Sequence, residues 1–132
     1  MTNDEQNPFK IIGDQSVPEK DGMPIHEEDS SGDLKTRIER LISSSDTFLF
    51  MKGTPDFPQC GFSANVIGIL NNLGAKYRTF DILTDPEIRQ GVKEYANWPT
   101  YPQLWVKGEL IGGNDIIMEL FHSGELEKVL SA

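Results

Sequence analysis

The sequence predicts an α/β domain built on a four-stranded mixed sheet with helices on its faces. Short apolar runs of strand length alternate with segments in which apolar residues recur every three or four positions. The order reads α-β-α-β-α-β-β-α-α, and only the last two strands are close enough in sequence to form a hairpin. With 132 residues the chain is long enough for one packed core and too short for two.

Residues 1–33 precede this pattern. They carry Pro8, Pro18 and Pro24, an acidic Glu27-Glu28-Asp29 run and only scattered apolar residues. Such a segment buries too little apolar surface to offset its ordering entropy, so a disordered, solvated extension is expected. The alternative to a plain solvated extension is a docking arm, for which the Pro8-Phe9-Lys10-Ile11-Ile12 cluster would be the adhesive patch. Nine acids against Lys10 and Lys20 place most of the formal charge of −9 in this tail. The folded domain is expected over 34–132.

Order begins at Asp33, an N-cap for a helix with Leu34, Ile38, Leu41 and Ile42 on one face. Thr47 to Met51 is a continuous apolar run of buried-strand type. A loop with Cys60 leads into a helix from about Gly61 to Leu73, whose Phe62, Val66, Ile69, Leu70 and Leu73 share a face, and Gly74 stops it. Tyr77 to Asp81 reads as a second strand. Asp85-Pro86-Glu87 starts a third helix that ends near Ala96, before Trp98-Pro99. Gln103 to Val106 is a third strand, and Lys107-Gly108-Glu109 turns into a fourth at Leu110 to Gly112. Gly112-Gly113-Asn114-Asp115 opens a fourth helix, and Gly124 separates a short last one.

Composition narrows the function classes. The acidic balance argues against nucleic acid or an anionic membrane surface as a partner bound through bulk charge. No apolar run approaches the roughly 20 residues of a membrane span, and the N-terminus shows no apolar signal segment and no Arg-rich transit peptide. A single cysteine makes no internal disulfide, which suits a reducing, cytoplasmic setting.

That cysteine is the centre of the chemistry. Cys60 falls at or just before a helix start, where unpaired backbone N–H groups and the positive dipole end favour a thiolate. A lone cysteine is most often inert, but Pro58 and Gly61 bracket this one in a loop rather than a core strand. Lys52 either adds positive charge or is a solvated lysine at a strand end. Trp98-Pro99-Thr100-Tyr101-Pro102 stands directly before a strand. A cis Tyr101-Pro102 bond would offer backbone groups to an extended ligand, whereas base rates favour a trans turn. Gly112-Gly113 before Asn114-Asp115 is either a simple turn with a cap or a cradle of bare N–H groups for a carboxylate, with Asp115 free to accept from an amine.

Lys52-Gly53 through Pro58 to Cys60-Gly61-Phe62-Ser63, then Trp98 to Leu104, then Gly108-Glu109 and Gly112-Gly113-Asn114-Asp115, closely resembles the monothiol glutaredoxins with the Cys-Gly-Phe-Ser signature. The likeness runs over roughly residues 34–130. It implies a thioredoxin-like fold and a glutathione site made by Lys52, Phe62, Arg89, Thr100, Tyr101, Pro102, Gly113, Asn114 and Asp115. Lys52 and Arg89 would hold the glycyl carboxylate, Tyr101 before a cis Pro102 would pair with the cysteinyl backbone, and Gly113 to Asp115 would take the γ-glutamyl end. Many family members have cysteine or serine where this chain has Asn114, so an internal disulfide there is excluded while the backbone contact survives.

Thiolate counting reaches a cofactor independently. A 2Fe-2S cluster takes four thiolates; one chain has one and a two-fold homodimer two. Two glutathione molecules held beside Cys60 would complete the set, with Cys60 as the protein's metal ligand. The first reading is thus a carrier that hands a labile cluster to apo iron-sulfur acceptors; the family resemblance implies a role in iron homeostasis and adds a BolA-like protein as a further partner. The second is a glutathione-dependent oxidoreductase with Cys60 as nucleophile. Ser63, where a resolving cysteine would stand, favours the carrier. An inert interaction domain of the same fold is the third.

Overall fold

A computed structural model describes Pro24, Ile25, Glu27 and residues 32–131. The elements are α1 (Leu34–Ile42), β1 (Thr47–Met51), α2 (Gly61–Asn72), β2 (Arg78–Asp81), α3 (Pro86–Ala96), β3 (Gln103–Val106), β4 (Glu109–Gly112), α4 (Asn114–Ser123) and α5 (Glu125–Ser131). The sheet runs β2-β1-β3-β4, with β1 parallel to β2 and antiparallel to β3, and β3 antiparallel to β4. This is the mixed four-stranded sheet that the element order predicts. The parallel pair is linked through α2, as a crossover connection requires.

β1 explains the two-layered core. All five of its residues are buried. Phe48 and Phe50 point into one cluster with Ile38, Leu41, Ile42, Ile88, Val92 and Trp105, which seats α1 and α3. Leu49 and Met51 point the other way, with Val66, Ile69, Leu70, Ile117 and Leu126, which seats α2, α4 and α5. A strand covered on both faces has no polar side to alternate with, hence the continuous apolar run.

The boundaries differ from expectation in small ways with identifiable causes. β4 begins at Glu109, because the turn is made by Lys107 and Gly108 alone, both with positive φ (50° and 82°). A 3₁₀ turn, Ile82–Thr84, which periodicity cannot reveal over three residues, joins β2 to α3.

The expected disordered extension, Pro8 to Ile12 included, lies mostly outside the described residues. Within it, Pro24 forms a parallel bridge to Thr79 on the outer side of β2, and Ile25 N–H donates to the Thr79 carbonyl at 2.7 Å. Ile25 packs against the α1–α3 core, and Glu27 forms an ion pair with Arg37.

Candidate functional site

Four chain segments meet around one cavity of about 470 Å³. Its wall includes Lys52 and Cys60 from the loop between β1 and α2, Arg89 and Lys93 from α3, and Gly113, Asn114 and Asp115 from the start of α4.

Cys60 is the N-cap residue of α2, in extended conformation (φ −152°, ψ 136°), and no side chain closes that helix start. The free N–H groups therefore face the sulfur. The Ser63 backbone N–H does most to lower the Cys60 pKa; burial opposes it, and the Phe62 N–H, the Lys52 charge and the Ser63 hydroxyl add to the lowering. Ser63 itself is fully buried, and its Oγ accepts from Lys52 N–H at 3.2 Å. One hydroxyl thus ties the end of β1 to the thiolate, a role its place in the sequence signals only through its position three residues into the helix.

The loop ahead of Cys60 is folded back on itself. Gly53 N–H donates to Asp81 Oδ1 at 2.9 Å, Gln59 N–H to the Lys52 carbonyl at 2.9 Å, and Thr54 and Phe57 exchange backbone bonds. Gly53 has φ 91°, and a Cβ there would lie 2.5 Å from the Phe57 carbonyl oxygen, so only glycine fits the turn. Phe57 in this loop and Phe62 at the cavity are 74% and 61% exposed.

The opposite wall is shaped by residues 98–102. Tyr101-Pro102 is cis, as the family resemblance implies and against the trans base rate. The buried Tyr101 hydroxyl donates to the Arg89 carbonyl at 2.6 Å, anchoring this loop to α3, and burial raises its pKa against the opposing Arg89 charge. The fully buried Gln103 amide donates to the Trp98 and Thr100 carbonyls, both at 3.2 Å, and so holds the loop's curve from below. Trp98 Nε1, buried beside Gly113, has no acceptor among the described residues.

α4 also starts without a side-chain cap, at Gly113. A Cβ on Gly113 would sit 3.3 Å from the Pro102 carbonyl, which fixes a small residue where the two loops meet. Asn114 Oδ1 accepts from Asn65 Nδ2 at 2.7 Å, so its amide is already oriented, and Asp115 supplies an exposed acid in the first turn.

Of the sequence-derived site residues, Lys52, Cys60, Phe62, Arg89, Thr100, Tyr101, Gly113, Asn114 and Asp115 line the cavity. Pro102 does not; it is buried behind the wall and contributes its carbonyl to the packing against Gly113. Lys93, Trp98, Pro99 and Ile116 line it without having been singled out as site residues. Lys93 was legible in principle, one helical turn beyond Arg89.

The site offers a thiol whose pKa is lowered, three cations, one carboxylate and two open helix starts. Such a set fits a ligand with a sulfur between two carboxylate ends, one of which also carries an amine. Among the described residues there is no group of three or more His, Cys, Asp or Glu that could hold a metal ion.

The family model described as Glutaredoxin matches residues 47–111. A ycf64-like monothiol glutaredoxin of Synechocystis sp. is 54% identical over 98 residues, 74% of this chain and 92% of that protein. Monothiol glutaredoxin-S17 of Arabidopsis thaliana is 57% identical over 98 residues, again 74% of this chain but only 20% of that much longer protein. Among solved structures, a monomeric truncated mutant of Trypanosoma brucei 1-C-Grx1 superposes with a TM-score of 0.68 at 42% identity, covering 76% of this chain and 92% of that one.

Proposed function

The chain belongs to the monothiol glutaredoxin family, whose thioredoxin-like fold it shares, and from that premise we propose that it is a glutathione-dependent carrier of a 2Fe-2S cluster. The observation that carries this reading is the placement of the chain's only cysteine at an open helix start, inside a cavity that also holds Lys52, Arg89 and the open start of α4.

Lys52 and Arg89 bind the glycyl carboxylate by charge-assisted hydrogen bonds. The backbone beside cis Pro102 receives the cysteinyl unit in extended form. Bare N–H groups at Gly113 and Asn114 take the γ-glutamyl carboxylate, and Asp115 accepts from its ammonium. This brings the glutathione sulfur beside Cys60. The cluster, as cargo, is then held by Cys60 and glutathione from each of two copies of the chain, a four-thiolate set. Exposed Phe57 and Phe62 keep the sulfur's surroundings accessible to a second copy, a BolA-like protein or an apo acceptor. Half the ligands are exchangeable small molecules, which suits release in a reducing cytoplasm.

The lowered Cys60 pKa supports a second activity. The thiolate attacks the glutathionyl sulfur of a mixed disulfide; a Cys60–glutathione bond forms as the old S–S bond breaks and the substrate leaves as thiolate. A second glutathione thiolate then displaces Cys60, yielding glutathione disulfide. With Ser63 in place of a second cysteine, no intramolecular route resolves the intermediate.

Anaerobic reconstitution with iron and sulfide separates the readings. The carrier gives visible absorption and a dimer only with both Cys60 and glutathione present. Colour persisting in Cys60→Ser, or no colour alongside rapid deglutathionylation by the wild type, would overturn it.

A further inference from the structure

Arg37 lies outside every motif of the site, yet it faces three carboxylates. Its Nη2 and Nε reach Glu27 at 2.7 and 3.3 Å, and Nη2 also reaches Asp85 Oδ2 at 2.7 Å. A third carboxylate, Glu87, stands 3.6 Å from Nη1. Arg37 and Glu27 are only 11% and 12% exposed, so this is not the solvated surface pair that contributes little.

Asp85 does two jobs with its two oxygens. Oδ1 accepts from Glu87 and Ile88 N–H at 3.0 and 3.1 Å and closes the start of α3, while Oδ2 accepts from Arg37. The next backbone bond joins Arg89 N–H to the Asp85 carbonyl at 2.9 Å, and Arg89 lines the cavity. α1 and α3 are in tight contact here: a Cβ on Gly91 would sit 2.6 Å from Leu34 Cδ2. Glu27 is thus connected to Arg89 through Arg37 and Asp85 by an unbroken series of short polar contacts.

The other end of the connection is an edge. β2 is the outermost strand on its side of the sheet, and an unpaired edge is a site for strand addition. Pro24 and Ile25 take that place at Thr79, and proline suits an edge because it has no N–H to leave unpaired.

We propose that Pro24, Ile25 and Glu27 form a strap that docks in cis along the β2 edge, and that Arg37, clamped between Glu27 and Asp85, is a positioning residue transmitting this docking to α3 and the glycyl end of the ligand site. The surface selects its occupant by chemistry: a backbone N–H for the Thr79 carbonyl, an aliphatic side chain for the α1–α3 core, and a carboxylate two residues later for Arg37. The effect on ligand binding rests on the glutathione reading above; the docking does not.

Glu27→Gln and Ile25→Ser in the full chain break the strap at its two anchors without touching the cavity. Amide hydrogen exchange reports docking directly, through the Ile25 N–H bonded to Thr79 and the Ile88 N–H bonded to Asp85. Both amides are protected in the wild type and both exchange faster in Glu27→Gln; in Ile25→Ser the backbone amide at position 25 and that of Ile88 exchange faster. Isothermal titration then shows glutathione binding weakened about threefold, the size of a perturbed ionic contact. Binding of glutathione monoethyl ester, blocked at the glycyl carboxylate, is unchanged. An Ile25 amide exchanging at the unstructured rate in the wild type overturns the strap. Equal weakening of both ligands, or of neither, overturns the positioning role. If the wild type binds no glutathione the functional reading falls, and exchange at Ile25 and Ile88 alone then upholds or overturns the latch.

Discussion

The starts of α2 and α3 are built in opposite ways. At α3 the Asp85 carboxylate accepts two backbone N–H groups and Arg37 neutralises what charge remains. Burial works to raise the Asp85 pKa, but the Ile88 N–H and Arg37 prevail and hold it below the usual carboxylate range. At α2 the corresponding residue is Cys60, which leaves the N–H groups without a side-chain oxygen. The same division extends to the other pair, since Asp33 closes α1 and nothing closes α4. The two closed helices pack on one face of the sheet and the two open ones on the other, their starts meeting at the cavity. A closed start contributes about 1 kcal/mol to the helix it caps, whereas an open one leaves donors for an outside anion or thiolate.

Changing the starts one at a time tests this contrast. The largest effect is expected at the open start of α2: Cys60→Ser loses all glutathione-dependent transfer and cluster colour, while urea unfolding shifts by less than about 1 kcal/mol, as for a surface-accessible change. Asp85→Ala opens a closed start and leaves the largely buried Arg37 short of a partner. It is expected to cost about 3 kcal/mol in urea unfolding, more than an isolated cap, with the excess disappearing when Arg37→Met is added. A loss no greater than that of a simple cap would show that Arg37 adds nothing to the closure. Gly113→Ser supplies a cap oxygen to α4. Glutathione binding, read by titration calorimetry, is expected to weaken about tenfold, with stability changed by about 0.5 kcal/mol or less.

The smallest change is to the electrostatics alone. Removing the Ser63 hydroxyl in Ser63→Ala raises the Cys60 pKa, and the pH dependence of alkylation by iodoacetamide moves upward with it; Ser63→Thr restores the profile. The sign for stability follows from the same shift. Because the folded thiol ionises below its ordinary value of 9.0, the thiolate stabilises the fold fully above that pH. The stabilisation is lost as pH falls through the folded pKa, and Cys60→Ser lacks this dependence.

Much of this was legible in the chain. Each helix with a long apolar face, and each strand of four or five residues, lies within a residue or two of its expected place, because periodicity and turn residues act over the same short range as helix and strand. Site residues carried by contiguous motifs, from Lys52 to Phe62 and from Gly113 to Asp115, are legible together with the chemistry their residue types imply. The part played by the Ser63 hydroxyl is hidden in the sequence, since its partner Lys52 is eleven positions away. What Trp98 and Lys93 face is hidden too, because it depends on how α3 is rotated against the sheet.

Local pattern along the chain is enough to assign the α/β class, the family and the single cysteine at a helix start. Tertiary structure decided which helix starts are open to the cavity, that Tyr101-Pro102 is cis, and that Glu27, Arg37 and Asp85 meet although Arg37 and Asp85 are 48 residues apart. Those outcomes depend on long-range packing: a carboxylate at residue 27 or 85 carries no sign of its partner until α1 and α3 are pressed together on one face of the sheet.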